Sequence, residues 1–246
     1  MRIALIGNGN LAWHLSKAFR NAGLHLDAHL SRSNDNSLGW EIHRNMLTMP
    51  ADIDVFLLAV PDSSIAEVAS QLPIDATVIH FSGASELDLL PQQHRAVCWP
   101  CQTLTKETEI EYAQIPVLYE FSDEQSAHII RQTLMKAWGT WTKANGKQRL
   151  MAHAAAVFSN NFTNHMQFIA HQLLHEASLP AKLLQPMVKA HMQLLDNLEP
   201  SQVQTGPAKR NDLATVQRHM NTLQHHEDWK KLYELITEDI IDTYYP

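Results

Sequence analysis

The sequence lacks the features that mark several specialised classes of protein. Its formal net charge is −7 and it has no long basic run, so it lacks the clustered Lys and Arg that contact nucleic-acid phosphates. No apolar stretch approaches the roughly 20 residues that span a bilayer. The first residues form a strand pattern without a basic segment and a cleavage site. We therefore expect a soluble, cytoplasmic protein that binds neither nucleic acid nor membrane.

Cysteine is also scarce. The chain contains only Cys98 and Cys101, which lie too close together to link distant parts of the fold. Their C-x-x-C spacing keeps a thiol redox function open as an alternative, whereas a zinc site would need two more ligands. Among the 15 histidines, His171 and His175 lie one helical turn apart, but neither a third ligand nor an H-E-x-x-H pattern accompanies them. We predict no metal site.

Short apolar segments alternate with helical segments in the first half of the chain. With 45% hydrophobic and 18% charged residues, the composition is that of a globular protein with a sizeable core. The predicted strands are Arg2–Ile6, Leu26–Leu30, Val55–Val60, Thr77–His80 and Val117–Phe121. The predicted helices are Leu11–Asn21, Ser63–Gln71 and Asp123–Trp138. Nearly unbroken apolar strands predict an α/β fold with a doubly wound, Rossmann-type parallel sheet.

From about Lys147 onward the pattern is helical, with four predicted helices and no strand. We therefore predict a dinucleotide-binding Rossmann domain over residues 1–145 and an all-helical domain for substrate binding and dimerisation over residues 146–246. The first of these helices carries an apolar stripe formed by Leu150, Ala154, Val157, Phe158, Phe162, Ile169 and Leu173. Four isolated helices cannot cover so much apolar surface, and we expect a homodimer that packs the helical domains together.

The first predicted strand ends in a glycine turn. Residues 7–12 read GNGNLA, which fits the pattern G-x-G-x-x-G/A between a strand and a helix. Gly7 permits the turn, Gly9 lets a pyrophosphate approach the backbone, and Ala12 lets the helix pack close to the strand. A purely structural turn is the alternative, but the position in a βαβ unit favours a dinucleotide site. Its candidate cofactor-binding residues are Gly7, Asn8, Gly9, Asn10 and Leu11.

The end of the second predicted strand distinguishes between the two nicotinamide cofactors. Ser31, Arg32 and Ser33 occupy the place where an acidic residue would bind the ribose 2′-hydroxyl of NAD. Asp27 lies too early, where the strand begins. Arg32 can pair with a 2′-phosphate, and the two serine hydroxyls can donate hydrogen bonds to it; a solvated surface arginine is the alternative. We predict NADP as the cofactor.

Two later strands end in loops that meet the same edge of the predicted sheet. The first loop reads Ala59-Val60-Pro61-Asp62, and the second reads His80-Phe81-Ser82-Gly83. Ligands of open α/β sheets lie over the carboxyl ends of the strands. We expect the nicotinamide side of the cofactor site to be lined by Ala59, Val60, Pro61 and Ser82.

The glycine turn, the Ser-Arg-Ser segment and "LAVPD" resemble the nucleotide-binding half of the 6-phosphogluconate-dehydrogenase-like superfamily, near pyrroline-5-carboxylate reductase and deazaflavin-dependent NADP oxidoreductase. Four further segments resemble bacterial Rossmann-like proteins that carry the C-terminal domain of unknown function 2520: "HFSG", "WPCQTLTK", "MAHAAAVFSNNFTNHM" and "TGPAKRND". The resemblance covers essentially the whole chain and implies an NADP oxidoreductase with a substrate held between two domains. The family's loop reads roughly HPLQTF, so Trp99 stands here in place of a histidine.

The long predicted helix carries the candidates for chemistry. The resemblance implies that this helix reaches the substrate, because in related dehydrogenases it presents a Lys or an Asn. His153 is the candidate general acid, and Asn160 and Asn161 are candidates to orient the substrate. The alternative is that these polar side chains form buried hydrogen bonds between helices.

Candidates for substrate binding are Gln102, Lys106, Asn164, Thr205 and Arg210. Lys106 would bind a substrate carboxylate, although a solvated lysine is the alternative. In "TGPAKRND", Asp212 alternatively caps the following helix. The sequence thus predicts an NADP-dependent oxidoreductase that transfers hydride to or from a small carbonyl or imine compound. The alternative function is a non-catalytic sensor of NADP(H).

Overall fold

A computed structural model describes residues 1–33 and 38–246 of the chain. By the contacts within the chain, the structure consists of two compact units, Met1–Asn160 and Asn161–Pro246. The helix that follows the last strand begins at Gly146, and its residues to Ala156 belong to the first unit.

The first unit contains an eight-stranded sheet with the strand order β3-β2-β1-β4-β5-β6-β7-β8. The strands are β1 (Ile3–Ile6), β2 (Ala28–Leu30), β3 (Ile42–His43), β4 (Val55–Leu58), β5 (Thr77–His80), β6 (His94–Pro100), β7 (Val117–Phe121) and β8 (Trp141–Lys143). Neighbouring strands are parallel except for the antiparallel pair β6–β7. The predicted Rossmann-type α/β fold is therefore confirmed.

Successive residues of the central strands enter two different cores. Leu5, Leu57 and Ile79 belong to a core on one face of the sheet that includes Phe19. Their neighbours Ala4, Phe56 and Val78 belong to a core on the other face. Because side chains alternate between the faces of a strand, a sheet covered on both sides needs apolar residues at every position. This arrangement explains the unbroken apolar runs in the sequence.

The helices of the first unit are α1 (Asn10–Asn21), α2 (Ile65–Ala69), α3 (Glu124–Gln132), α4 (Leu134–Ala137) and α5 (Gly146–Ala156). The single helix predicted over Asp123–Trp138 is wrong, because it divides at Thr133. Thr133 has φ −121° and ψ −84°, and its hydroxyl donates to the Ile129 carbonyl at 2.6 Å. This local hydrogen bond competes with the helical ladder.

The second unit is helical, and its residues 161–246, all of which the structure describes, contain no strand. Its helices are α6 (Thr163–Glu176), α7 (Gln185–Leu195), α8 (Pro200–Val203), α9 (Leu213–Thr222) and α10 (Glu227–Tyr244). The long helix predicted from Lys147 is interrupted by a π-helical segment, Val157–Phe162. Within the described residues, no helix is long and apolar enough to cross a membrane.

Many large apolar side chains of the second unit are exposed in the single chain. They are Phe162, Phe168, Leu179, Leu183, Met187, Met192, Leu194, Leu198, Leu213, Leu235 and Ile236. By contrast, the buried apolar residues of this unit are Leu174, Val203, Ala208, Met220 and Leu223. Within one chain, more of the large apolar side chains of this unit are therefore exposed than buried.

Candidate functional site

Six strands of the sheet end at one edge, because β1 to β6 are mutually parallel. Gly7 follows β1, Ser31 follows β2, Ala59 follows β4 and Ser82 comes soon after β5. Trp99 lies near the end of β6. The fold thus brings the predicted cofactor loops to the same edge, where ligands of such sheets bind.

The glycine turn allows no other residue at its first position. Gly7 has φ +119°, and a Cβ there would lie 2.1 Å from the carbonyl oxygen of Ala59. The turn is held between two strands, since the Gly7 amide donates to the Leu30 carbonyl at 3.0 Å and the Ala59 amide donates to the Ile6 carbonyl at 2.8 Å. The residue after β1 therefore lies directly against the residue after β4.

Gly9 is the N-cap of α1 and has open space around it. A Cβ at Gly9 would meet nothing within 4 Å. Within the described residues, no side chain caps this helix end, and the first turn carries no acidic residue. The first amides of α1, at Asn10 and Leu11, thus keep the hydrogen-bonding capacity and positive dipole end that suit a phosphate.

A histidine that the sequence analysis missed braces the glycine turn. His29 lies in β2 and is fully buried, with Nε2 2.7 Å from the carbonyl oxygen of Gly7. A carbonyl only accepts, so Nε2 carries the proton and donates. Burial lowers the pKa of His29, although the bond to Gly7 opposes this shift. The neutral imidazole therefore fixes the orientation of the Gly7 peptide.

The Ser-Arg-Ser segment after β2 is a turn held by a second arginine. The buried Ser31 hydroxyl accepts from the Ser33 amide at 3.0 Å, and the Arg32 side chain is exposed. Arg44, which follows β3, donates from Nη1 to the carbonyls of Ser31 at 3.2 Å and Ser33 at 2.6 Å. Asp27 accepts from the Ile3 amide at 2.8 Å, which is a structural role before β2 begins.

The loops after β4 and β5 are joined by a short hydrogen bond. The Ser82 hydroxyl donates to the Asp62 carboxylate at 2.6 Å and accepts from the amides of Ala84 at 3.2 Å and Ser85 at 3.0 Å. Ser82 is nearly buried, at 7% exposure. The hydroxyl therefore stabilises both loops that we predicted to line the nicotinamide side.

His80 supports the loop that follows β5. Its Nδ1 accepts from the Ser82 amide at 3.2 Å, and its Nε2 lies 3.3 Å from the Glu86 carbonyl. These partners require a neutral imidazole with the proton on Nε2. Burial lowers the pKa of His80 to about 4, despite the opposing bond to Glu86.

The candidate acid His153 lies at the same edge as the predicted cofactor loops. Its ring stands edge-on to the indole of Trp99, with centroids 5.2 Å apart and planes at 80°. A Cβ on Gly83 would lie 2.7 Å from the Trp99 ring and 3.0 Å from His153 Nδ1. His153 is half-buried, and within the described part of the chain its Nδ1 is buried without a hydrogen-bond partner. Only glycine at position 83 leaves room for this pair of rings.

A buried arginine one helical turn earlier anchors α5. Arg149 is 1% exposed and donates from Nη1 to the Glu120 carboxylate at 2.9 Å and from Nη2 to the Ser85 carbonyl at 2.8 Å. At the start of the helix, a Cβ on Gly146 would lie 2.0 Å from a Glu86 carboxylate oxygen. These contacts attach α5 to the loop after β5 and thereby determine where His153 lies.

The predicted asparagines are exposed, so the chain does not bury them between its helices. Asn160, in the π-helical segment, donates to the Thr103 hydroxyl at 2.6 Å. Thr103 and the exposed Gln102 belong to the loop that follows β6. Asn161 and Asn164 lie in the second unit. π-helical turns are frequent at functional sites, and this one places Asn160 on the predicted substrate loop.

The loop that follows β6 is also tied to α1 by a residue that the sequence analysis missed. His14 of α1 is fully buried, with Nε2 2.8 Å from the Thr105 carbonyl and Nδ1 2.9 Å from the Tyr112 hydroxyl. The carbonyl requires a proton on Nε2, so Tyr112 donates to Nδ1. Lys106, the next residue in the loop, is half-buried.

The segment "TGPAKRND" lies in the second unit. Asp212 caps α9 by accepting from the Thr215 amide at 3.0 Å, as the structural alternative predicted. Thr205 and Arg210 are exposed. The Tyr245 hydroxyl donates to the Lys209 carbonyl at 2.9 Å and fixes the loop against the end of the chain. The roles of Thr205 and Arg210 in substrate binding stay predictions.

Neither cysteine has the environment of a reactive thiol. Both are free, and Cys98 is 1% exposed. Burial raises the pKa of both thiols, which is opposite to the shift that a reactive thiolate requires. Among the described residues, no group of three or more His, Cys, Asp and Glu side chains could hold a metal ion.

Several solved structures are similar to this chain over nearly its whole length. A candidate NADP oxidoreductase from Bacteroides fragilis is 28% identical over 98% of both chains, with a TM-score of 0.88. An imine reductase from Myxococcus stipitatus in complex with NADP⁺ is 12% identical, with a TM-score of 0.68 over 98% of this chain and 93% of that one. A 1-pyrroline-5-carboxylate reductase from Streptococcus pyogenes is 13% identical, with a TM-score of 0.64 over 98% of both chains. The last two likenesses show the fold alone.

No curated protein sequence matches the chain. The model of the domain of unknown function DUF2520 matches residues 115–240, beginning just before β7. This match spans just over half of the 246 residues. The chain therefore belongs to the family of Rossmann-like proteins that carry the domain of unknown function DUF2520.

Proposed function

We propose that the protein is an NADP-dependent oxidoreductase that transfers hydride to or from a small carbonyl or imine compound. The observation that carries this proposal is the position of His153. Its ring contacts Gly83 and Trp99 at the edge of the sheet where the glycine turn and the uncapped end of α1 also lie. A candidate proton donor and a candidate phosphate site thus share one edge. The NADP oxidoreductases and imine reductases of similar fold support the same reaction class.

The residues at this edge fit a nicotinamide dinucleotide. The amides of Gly9, Asn10 and Leu11 would bind the diphosphate, because Gly7 and Gly9 leave the backbone bare. Ser31 and Arg32 would bind the 2′-phosphate, which is why we favour NADP over NAD. The loops that carry Ala59, Val60, Pro61 and Ser82 would contact the nicotinamide, which supplies the hydride chemistry when bound.

His153 would hold the proton that the reaction requires. When hydride reaches the carbon of a C=O or C=N group, negative charge develops on the oxygen or nitrogen, and a positioned acid stabilises it. The buried Nδ1 of His153 has no partner among the described residues, and a polar atom in that state is costly unless it is used. In the reverse direction the same imidazole would accept the proton.

Other side chains would orient the substrate. Asn160 and Gln102 lie in or against the loop after β6, and the half-buried Lys106 is in the same loop. Correct orientation of reactants supplies a large part of enzymatic rate enhancement. The predicted roles of Asn161, Asn164, Thr205 and Arg210, all in the second unit, are part of the same proposal.

We also propose that the second unit assembles as a homodimer. Its helices expose Phe168, Met187, Leu198, Leu235 and Ile236 to solvent in the single chain. Monomeric proteins rarely expose so many large apolar side chains on one small unit. A second copy of the same helices would cover them on both sides of a two-fold axis.

A direct test measures NADPH oxidation in the presence of a panel of small imines, ketones and aldehydes. We expect turnover by the native protein and a loss of at least about 100-fold in His153→Asn, with the NADPH dissociation constant unchanged by calorimetry. The matched control is His128→Asn, since His128 is exposed on α3, away from the strand ends. Equal turnover in both variants would eliminate His153 as the acid. Tight NADPH binding without turnover on any compound would instead support the sensor alternative.

A further inference from the structure

Arg44 lies beside the turn that we assign to the 2′-phosphate, although it is distant from that turn in the sequence. β3 pairs in parallel with β2, so that His43 is opposite Leu30 and the two strands end together. The Ser31 amide donates to the His43 carbonyl at 3.1 Å and extends this pairing by one residue. The pairing of β2 and β3 therefore places Arg44, the residue after His43, beside the Ser-Arg-Ser turn.

The guanidinium of Arg44 binds both ends of this turn. Its Nη1 donates to the Ser31 carbonyl at 3.2 Å and to the Ser33 carbonyl at 2.6 Å. Hydrogen bonds from a charged donor are stronger than those between neutral groups. The peptide bonds of residues 1–33 and 38–246 are all trans, so the Ser31 carbonyl, which points toward Arg44, directs the Arg32 amide N–H to the opposite side.

We propose that Arg44 is a specificity residue for the 2′-phosphate of the cofactor. Arg44 binds the carbonyl oxygens of Ser31 and Ser33, which are negative dipole ends, and so keeps them away from the anion. The amide N–H of Arg32 would face the anion instead. It also adds a second positive charge to the turn that carries Arg32. This inference rests on the proposed function, because it assumes that a nicotinamide dinucleotide binds at this edge.

The two arginines have different tasks in this arrangement. Arg32 is exposed and lies at the centre of the turn, where it can pair directly with a phosphate. Arg44 acts on the backbone of the turn from the side of β3. Lysine keeps the positive charge but not the planar, preorganised guanidinium that holds Nη1 between the two carbonyls, so it cannot replace Arg44 fully. Removing the positive charge should matter for a ligand with a 2′-phosphate and little for a ligand with a 2′-hydroxyl.

The test compares NADPH, NADH and 2′,5′-ADP as ligands in calorimetry of the full chain. We expect Arg44→Ala to weaken NADPH and 2′,5′-ADP by about tenfold or more and to change NADH by less than about threefold. Arg44→Lys should fall between Arg44→Ala and the native protein. The control is Arg131→Ala, which removes the same charge from an exposed residue of α3 that pairs with Glu124.

Several outcomes overturn the inference and are distinct from failure of the proposed function. If Arg44→Ala weakens the binding of NADPH and of NADH equally, Arg44 has a structural role only. If both affinities are unchanged, Arg44 has no role in cofactor binding. If Arg44→Ala melts before binding can be measured, the NADPH-to-NADH ratio of Arg44→Lys decides the question by the same criterion. If the native protein binds neither dinucleotide, the proposed function itself fails.

Discussion

The His153 ring stands edge-on to the indole of Trp99, at 5.2 Å between centroids. Trp99 is the residue at which this chain departs from the loop sequence of the family that it resembles. Although Trp99 replaces a histidine, this edge of the sheet still carries a histidine, because His153 contacts Trp99 there. Gly83 lies against both rings, which makes the arrangement testable.

Gly83→Ala should lower turnover without weakening the cofactor. The new Cβ would lie 2.7 Å from the Trp99 ring and 3.0 Å from His153 Nδ1, so at least one ring must move. We expect kcat to fall by about tenfold or more, since small displacements of catalytic groups are costly, whereas the NADPH dissociation constant should change by less than about threefold. A variant with native kcat would show that the position of the His153 ring has no bearing on catalysis.

The two glycines of the turn should respond differently to alanine. Gly7→Ala adds a Cβ at φ +119° and 2.1 Å from the Ala59 carbonyl oxygen, and should lower the free energy of unfolding by about 3 kcal/mol or more. Gly9→Ala meets nothing within 4 Å and should change stability by less than about 1 kcal/mol. It should nevertheless weaken NADPH by about tenfold, because its methyl group occupies the place of the diphosphate. Native NADPH affinity in Gly9→Ala would argue against the diphosphate site.

Acidification should destabilise the protein through His80. Its pKa is about 4 in the folded chain, below the ordinary 6.5, because the ring is buried. Between about pH 6.5 and 4, the unfolded state binds a proton that the folded state does not, so the free energy of unfolding decreases as the pH falls. This group contributes on the order of 3 kcal/mol to the decrease. Denaturant unfolding across this range measures the decrease.

The variant His80→Asn is the control for this pH dependence. It keeps an acceptor for the Ser82 amide but cannot bind a proton. His14 and His29 also have lowered pKa values because they are buried. The variant should therefore retain part of the dependence of the free energy of unfolding on pH. The difference between native and variant slopes isolates His80. Identical slopes would contradict the assignment of a low pKa to this ring.

Leu235→Glu should dissociate the homodimer that we propose. Leu235 is 65% exposed on α10 in the single chain, and a buried carboxylate at an interface without a partner is costly. Light scattering should give twice the chain mass for the native protein and the mass of one chain for the variant. Leu47→Glu is the matched control, because Leu47 is 96% exposed in the first unit. A monomeric native protein over the micromolar range would reject the dimer.

The main elements of the fold were predictable because their signals are local. β1 and β4 are unbroken apolar runs, and the glycine turn is a contiguous motif. β6 was missed because "HRAVCWP" mixes charged and apolar residues and ends in proline. β3 has two residues and is defined by its pairing with β2, which the sequence does not reveal.

The supporting residues of the site were less predictable than its motifs. His153 and the cofactor loops were proposed from position and resemblance. Arg44, by contrast, gives no local signal, because its acceptors at Ser31 and Ser33 are reached through the pairing of β2 and β3. The π-helical segment Val157–Phe162 was not predicted either. Residues counted at α-helical spacing across a π turn do not stay on one face of the helix.

His14, His29 and His80 support this edge of the sheet from three different elements, and each carries a single proton that its partners specify. They therefore contribute shape to this edge rather than charge. In the proposed dinucleotide site, the attraction for the phosphates would come from backbone amide dipoles and guanidinium groups rather than from these three rings. Ordinary fluctuations in acidity around the protein would therefore leave the shape of this edge unaltered.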